Sequence, residues 1–368
     1  MAIDFHGLLK RVVQERASDL FLKVGSPPSL RIDGRVRFMQ AEPLTPETAQ
    51  QVIELLRRAR PDADFEHSSE VDMAYDLPGI GRFRANVYRQ RNNYAFALRY
   101  IERNIPSFEE LELPSEPLRR LASLQRGLVL VTGVTGSGKS TTLASMIGYI
   151  NSNFNKHIVT IEDPIEFIYQ DKRSIISQRE IGSDTPDFHA ALKHIVRQSP
   201  DVIMIGEMRD RETMEAAITA AETGHLVLST LHTVNAQQTV ERIINYFPPH
   251  QHELVRLQLS MVLEGVISQR LLPRRDGVGR VPAVELMMRS PTVRDLLAEG
   301  RTTELYKAIK EGEYFGSQTF NQSLRRLYEA EKISLEEAVA AADNPEELKM
   351  EIRGIIKGSR AADFDFEY

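Results

Sequence analysis

One stretch of eighteen residues limits what this chain can fold into. Residues 128–145 read LVLVTGVTGSGKSTTLAS: an apolar strand (Leu128, Val129, Leu130, Val131), a glycine-rich turn and the opening of a helix. Within it Gly133, Gly138, Lys139 and Ser140 satisfy G-x-x-x-x-G-K-[ST], in the strand-to-helix setting that a P-loop requires. Gly133, Gly136 and Gly138 let the backbone curl so that several N–H groups point at one anion, and the helix N-terminus adds its partial positive charge. Lys139 is placed to reach the terminal phosphates and Ser140 to ligate Mg²⁺, with Thr141 opening the helix behind it. The loop that also holds Thr135 and Ser137 is therefore the expected cradle of a nucleoside triphosphate.

From residue 118 onward, strands at 127–132, 157–162, 202–206 and 226–231 alternate with helices at 140–151, 187–197 and 211–222. That alternation is the signature of a parallel α/β sheet, which binds ligands beyond the carboxyl ends of its strands. Each of the four strands is followed by a polar cluster, so the clusters are expected around one site. After the second strand come Glu162, Asp163 and Glu166, suited to Mg²⁺ or water positioning beside a phosphate, although such a loop taken alone is more often only solvated. After the third, DVIMIGEMRD (residues 201–210) runs four apolar residues into an acid, the Walker B pattern. Glu207 is the expected base for the attacking water, and Arg209 and Asp210 are available to pair across a subunit contact. The fourth strand is flanked by His225 and His232, seven apart, which is not a zinc spacing, and the chain has no cysteine. Both histidines are expected at the phosphate edge, His232 as a γ-phosphate sensor and His225 as an orienting group.

Ahead of this region the pattern is α+β. Phe5, Leu8, Leu9, Val12 and Val13 fall at helical spacing, and a strand comes next at 20–24. Asp33-Gly34 is a two-residue turn between alternating strands over 30–38. Thr45-Pro46-Glu47 caps and starts a helix running to about Arg60. Further strands are expected at 71–76, 81–91 and 95–101, the last two dense in arginine: either an exposed, charged strand face or an arginine finger that neutralises phosphate. Residues 103–117, with three prolines and four glutamates, read as an interdomain connector, a spacer or a hinge.

Composition narrows the class. At 368 residues, 42% hydrophobic and 27% charged, the chain is an ordinary globular protein long enough for two domains. No run approaches the roughly 18 apolar residues of a spanning helix, and the N-terminal segment lacks an export signal's apolar core, so a cytoplasmic protein is expected. The net charge of −6 gives no global attraction to nucleic acid.

GVTGSGKST, TIEDPIEF, GEMRD and AETGHLVLSTLHT resemble, in that order, the Walker A, Asp box, Walker B and His box of the secretion-superfamily hexameric ATPases. ISQREIGSDT, RETMEAAITAAETGH, RIINYFP, VISQRLLP and SQTFNQSL bring the resemblance closer, to the PilT/PilU family of type IV pilus retraction ATPases, over about residues 4–355. The resemblance implies an α/β protein with a PAS-like α+β N-terminal domain (1–102), a linker (103–117), a RecA-like core (118–290), a C-terminal helical region (291–355) and a disordered tail (356–368). It implies a homo-hexamer at the cytoplasmic base of the pilus, peripheral to the inner membrane, acting on a membrane platform protein and in some cases alongside a paralogous retraction ATPase. It also implies ATP and Mg²⁺ held between the two domains. Carried over by motif, Lys139 and Ser140 hold phosphate and Mg²⁺, Glu207 is the base, Glu166 is the Asp-box acid and His225 and His232 form the His box. Ser140, Glu166 and Glu207 then surround the metal. By position in FRAN and ALR, Arg84 and Arg99 match the arginines that reach the nucleotide.

Three departures stand out. The family's SDLHL is SDLFL here (residues 18–22), its AIRNLI is TVRDLL (292–297) with Arg294 kept, and Gln90-Arg91, Leu98-Arg99 and the length beyond residue 350 lean toward the PilU type. The closing ADFDFEY is acidic and aromatic, a disordered end or a docking peptide. The resemblance thus predicts a retraction motor, with an accessory PilU-like subunit as the alternative. An assembly or type II secretion ATPase fits less well, because those enzymes usually carry a tetracysteine zinc motif and a longer N-terminal region. A nucleic-acid motor fits poorly with the acidic balance and the lack of a basic-aromatic strip.

Overall fold

The computed structural model describes residues 4–354 apart from Asp33, Asp62, Glu102 and Arg103. The chain divides into two units, residues 1–104 with 166–168, and residues 105–165 with 169–368.

The first unit opens with α1 (Phe5–Gln14), whose buried face carries Phe5, Leu9 and Val12, and whose N-cap Asp4 accepts from Gly7 N–H at 2.9 Å. Strand β1 (Asp19–Lys23) leads into the hairpin of β2 (Ser29–Ile32) and β3 (Arg35–Phe38). The pairing of Ile32 with Arg35 leaves two residues for the turn; Gly34 takes φ +76°, and Asp33 lies outside the described residues. Helix α2 (Pro46–Ala59) starts at the Thr45 cap, with a Thr45–Thr48 capping box and Pro46 in the first turn. Then come β4 (Glu70–Leu77), β5 (Gly81–Gln90) and β6 (Asn93–Ile101). The six strands form one sheet, ordered β3-β2-β1-β6-β5-β4, with antiparallel neighbours throughout. Period-two alternation sorts its faces. Phe83, Ala85 and Val87 of β5 join Leu20, Leu22, Phe96 and Leu98 in a core with α1 and α2, while Arg82 and Arg84 take the other face.

The second unit opens with α3 (Ser115–Ala122), β7 (Gly127–Thr132), α4 (Lys139–Asn153), β8 (His157–Glu162), β9 (Ile175–Glu180) and α5 (Phe188–Ile195). It continues through β10 (Val202–Ile205), α6 (Arg211–Glu222), β11 (Leu226–Leu231), α7 (Ala236–Asn245), α8 (His252–Val262), β12 (Leu263–Pro273) and β13 (Arg280–Met288). The sheet order is β13-β12-β7-β11-β10-β8-β9. All neighbours are parallel except the β12/β13 hairpin. Strands β7 and β11 bury all six of their residues, as strands covered on both faces must. This order decides the site: β11 lies between β7 and β10, so the turn leaving β11 sits between the P-loop and Glu207.

Three strands go beyond those expected from the sequence. β12 continues from α8 without a break, in the apolar run MVLEGVISQRLLP where no glycine-proline punctuation marks the change of period. β9, IISQRE, is too polar to announce itself, and β13 is recruited by its hairpin with β12.

The expected connector is narrower than its composition suggests. From Ile105 it belongs to the second unit, where Phe108 and Leu113 are buried and Pro106 C=O accepts from Ser145 Oγ at 2.7 Å. Beyond β13 run α9 (Pro291–Glu299), α10 (Leu305–Lys310), α11 (Phe320–Glu329), α12 (Leu335–Ala340) and α13 (Pro345–Ile352). Phe320, Leu324, Ile333, Ala338 and Leu348 pack against Leu272, Val281 and Ala283 of the hairpin. The TVRDLL segment forms α9, burying Val293, Leu296 and Leu297 and leaving Arg294 outside. The acidic-aromatic tail lies outside the described residues. Among the described residues no helix is long and apolar enough to cross a membrane.

Candidate active site

The P-loop leaves the carboxyl end of β7 with Gly133 at φ +147°, Gly136 at +79° and Gly138 at +91°. Gly138 is the N-cap of α4, and no side chain caps that helix. By contrast α5, α6, α7, α9 and α11 are capped by Asp187, Asp210, Asn235, Ser290 and Thr319. The first N–H groups of α4 therefore remain available to an anion, reinforced by the helix dipole. Lys139 folds back into the loop, donating to Gly133 C=O at 2.8 Å and Val134 C=O at 3.1 Å. Ser137 is buried, and its Oγ has no hydrogen-bond partner among the described residues. A methyl group at Gly133 would lie 2.4 Å from Ser137 Oγ and 2.6 Å from the Gln269 carbonyl oxygen. Because the second obstacle is backbone, Gly133→Ala should weaken ADP binding by about tenfold or more, with a strain of order 1–3 kcal/mol. A nucleotide titration with a thermal melt checks this; wild-type affinity would refute the close packing.

Glu207 comes after β10 on a loop tied to β11: Thr230 Oγ1 donates to Gly206 C=O at 2.6 Å and Met208 N–H donates to Thr230 C=O at 3.2 Å. Its carboxylate meets Arg209 Nη2 at 2.8 Å and His232 Nε2 at 3.2 Å. Burial pushes the Glu207 carboxyl up, but the Arg209 hydrogen bond and the His232 charge outweigh it and hold it below the ordinary value. Paired in this way it is ionised and orienting, and a weak proton acceptor. Releasing Arg209 would remove its lowering effect and so raise the basicity of the carboxylate, with His232 still opposing burial.

Within this chain Arg209 pairs in its own loop, and Asp210 caps α6 by accepting from Thr213 N–H at 2.7 Å. His225 departs from expectation. It precedes β11, at the end of the parallel strand opposite His232, and its Nδ1 lies 2.9 Å from Ala220 C=O at the end of α6. Only His232 of the two reaches the carboxyl edge, because six strand residues at about 3.3 Å each separate their positions. Of the acids at the end of β8 and beyond, Glu162 closes the strand and turns inward, accepting from Thr160 Oγ1 at 2.7 Å and Gln178 Nε2 at 3.2 Å. Glu166 is exposed and groups with the first unit. Arg84 and Arg99 are register partners on β5 and β6, and each is held by an aspartate: Asp72 at 3.7 Å and Asp19 at 2.9 Å. Asp19 also pairs with Arg31 at 3.2 Å. Two guanidinium groups directly opposite repel unless acids or an anion compensate.

The model of the family described as "Type II/IV secretion system protein" matches residues 3–353. The chain belongs to that family. This secretion ATPase is 45% identical over 351 residues to the "Type IV pilus ATPase PilU" of Pseudomonas aeruginosa, covering 95% of this chain and 92% of that protein. It is 42% identical over 344 residues to the same organism's "Type IV pilus retractation ATPase PilT", covering 94% and 99%. Among solved structures, a pilus retraction motor PilT with bound ADP matches with a TM-score of 0.87 and 45% identity, over 94% of this chain and 99% of that one. The likeness of fold and family makes this chain a nucleotide-binding ATPase.

Among the described residues no cluster of three His, Asp or Glu side chains could hold a metal. Ser140, in the first turn of α4, offers a hydroxyl of the kind that a nucleotide-borne Mg²⁺ would take beside its waters. Sequence reasoning did not assign two of the contacts at the site: Arg209 as the partner of Glu207, and Thr230 as the anchor of its loop. An arginine two residues past a Walker B acid hints at the first; nothing local hints at the second.

Proposed function

We propose that this ATPase, as a ring of six subunits, powers retraction of type IV pili by depolymerising pilin, with an inner-membrane platform protein as the part it moves. The observation that carries the reading is the Glu207–His232 pair, assembled beside the P-loop strand in a chain 42% to 45% identical to pilus ATPases. Lys139 exchanges its loop carbonyls for phosphate oxygens, and the uncapped N–H groups of α4 bind the same anion. Glu207 orients the attacking water and takes its proton once Arg209 lets go. His232, hydrogen-bonded to Glu207, couples that carboxylate to the state of the γ-phosphate. Ser140, Glu166 and Glu207 are the proposed surroundings of Mg²⁺, which would neutralise charge developing on the phosphates. Arg84 and Arg99 are proposed to reach the nucleotide by giving up their aspartates, and His225 to brace the far end of β11. The protein is placed in the cytoplasm, peripheral at the pilus base. The 45% identity to PilU of Pseudomonas aeruginosa, against 42% to PilT of the same organism, favours one second reading, an accessory subunit that needs another retraction ATPase.

The test is twitching and pilus retraction in a deletion strain complemented with wild type or Glu207→Ala, beside ATPase assays of both purified proteins. A retraction motor gives hyperpiliated, immobile cells with Glu207→Ala. Loss of pili in the deletion strain would instead make it an assembly ATPase. Retraction that persists without hydrolysis would make it an accessory.

A further inference from the structure

A buried carboxylate that contacts no nucleotide-loop residue links the P-loop strand to the helix beyond His232. Glu285, on β13, is 2% exposed, and its Oε1 accepts from Ala236 N–H, the first residue of α7, at 2.7 Å. Its register partner across the hairpin is Ser268, whose side chain stands on the same face of the sheet. Ser268 Oγ in turn accepts from Thr132 Oγ1 at 3.0 Å, and Thr132 is the last residue of β7, immediately before Gly133. Thr132, Ser268 and Glu285 are all buried. The chain of contacts runs from the root of the P-loop to the start of α7, four residues beyond His232.

Other bonds fix the same turn. Asn235 caps α7 through Gln238 N–H at 2.9 Å, and Thr233 Oγ1 meets Thr239 Oγ1 at 2.7 Å. With Asn235 committed to Gln238, the Ala236 N–H is left to Glu285. A negative charge there also faces the positive end of the helix dipole. The charged groups around Glu285 are Arg270 of β12 and Asp343, ahead of α13, and they pair with each other. Among the described residues Glu285 itself forms no salt bridge. Burying an ionisable group is costly, and a hydrophobic residue would serve a purely structural position better.

We propose that Glu285 is a positioning residue for hydrolysis: ionised, it clamps the start of α7 and the His232 turn to the P-loop strand, and protonated, it loosens that clamp. The proposal rests on the reading that Glu207 and His232 carry hydrolysis. Desolvation pushes the Glu285 pKa up to about 7, against the lowering effect of the Ala236 N–H, so the change of state falls within the working pH range.

The experiment measures kcat and KM for MgATP on the full chain from about pH 5.5 to about pH 9, in wild type, Glu285→Gln and Asp343→Asn. Wild-type kcat should fall as pH drops through about 7. Glu285→Gln should lack that limb, with kcat reduced severalfold at alkaline pH and KM little changed. Removing the negative neighbour in Asp343→Asn should shift the limb to lower pH. Independently of turnover, amide exchange across residues 235–239 should be faster in Glu285→Gln than in wild type at alkaline pH. Stability gives a further readout. With its pKa raised, native Glu285 holds a proton that the unfolded chain has released between the ordinary 4.5 and about 7, so stability should fall as pH rises through that window, and the slope should flatten in Glu285→Gln. A Glu285→Gln enzyme that keeps the wild-type limb and wild-type exchange overturns the inference. A Glu207→Gln enzyme that still turns over removes the reading beneath it, so the two failures are distinguishable.

Discussion

Glu207→Gln should lose hydrolysis by about 10²- to 10⁴-fold while binding ATP as well as wild type does. The amide can still accept from His232 but cannot take a proton from water. The change is isosteric at a side chain that is only partly buried, so folding should be unaffected. Arg209, 2.8 Å from the carboxylate, loses its counter-charge, and the neighbouring field of Asp163 becomes its nearest acidic influence. Single-turnover hydrolysis measured beside equilibrium nucleotide binding separates the outcomes. Turnover within tenfold of wild type would rule Glu207 out as the base, whereas a parallel loss of binding would make it a structural residue of the site.

Lys139→Ala should fail one step earlier, at binding. The ammonium-bearing side chain is 8% exposed and makes two hydrogen bonds to loop carbonyls, which an anion must replace. Each charge-assisted bond to phosphate contributes about 1.5–3 kcal/mol, so losing two should weaken ATP affinity by about 10²- to 10⁴-fold. Arginine should not restore it, because a planar fork cannot occupy the pocket of a compact ammonium. Calorimetric titration with ATP and ADP is the direct check. ATP and ADP affinities both within a few-fold of wild type would mean that the α4 N-terminus binds the phosphates unaided. A folded-state control is necessary, since Lys139 also ties down the loop carbonyls of Gly133 and Val134: a melting temperature close to wild type would assign the whole effect to the nucleotide.

The features legible in the amino-acid sequence are local ones. The P-loop, the acid after an apolar strand, the Thr45 cap and the alternation in β5 each depend on neighbours within a few residues, where sequence spacing equals spatial spacing. His225 shows where that equivalence stops. Adjacency to a strand says nothing about which end of it faces the phosphates, and the six residues of β11 put His225 and His232 at its opposite ends. The connector at 103–117 has the prolines and glutamates of a linker, while Phe108 and Leu113 decide that most of it packs into the second unit.

The amino-acid sequence alone determined a nucleotide-binding α/β protein with a second α+β unit, and singled out Lys139, Ser140 and Glu207 as candidates for phosphate, Mg²⁺ and water, because motif chemistry is written over short spans. The tertiary structure alone decided that β11 lies between the P-loop strand and β10, so that His232 touches Glu207. It also decided that Arg209 pairs within its own loop and that Glu285 reaches Ala236 across 49 residues. Strand order and register are collective outcomes of burying a seven-stranded sheet, and no single stretch of chain carries them.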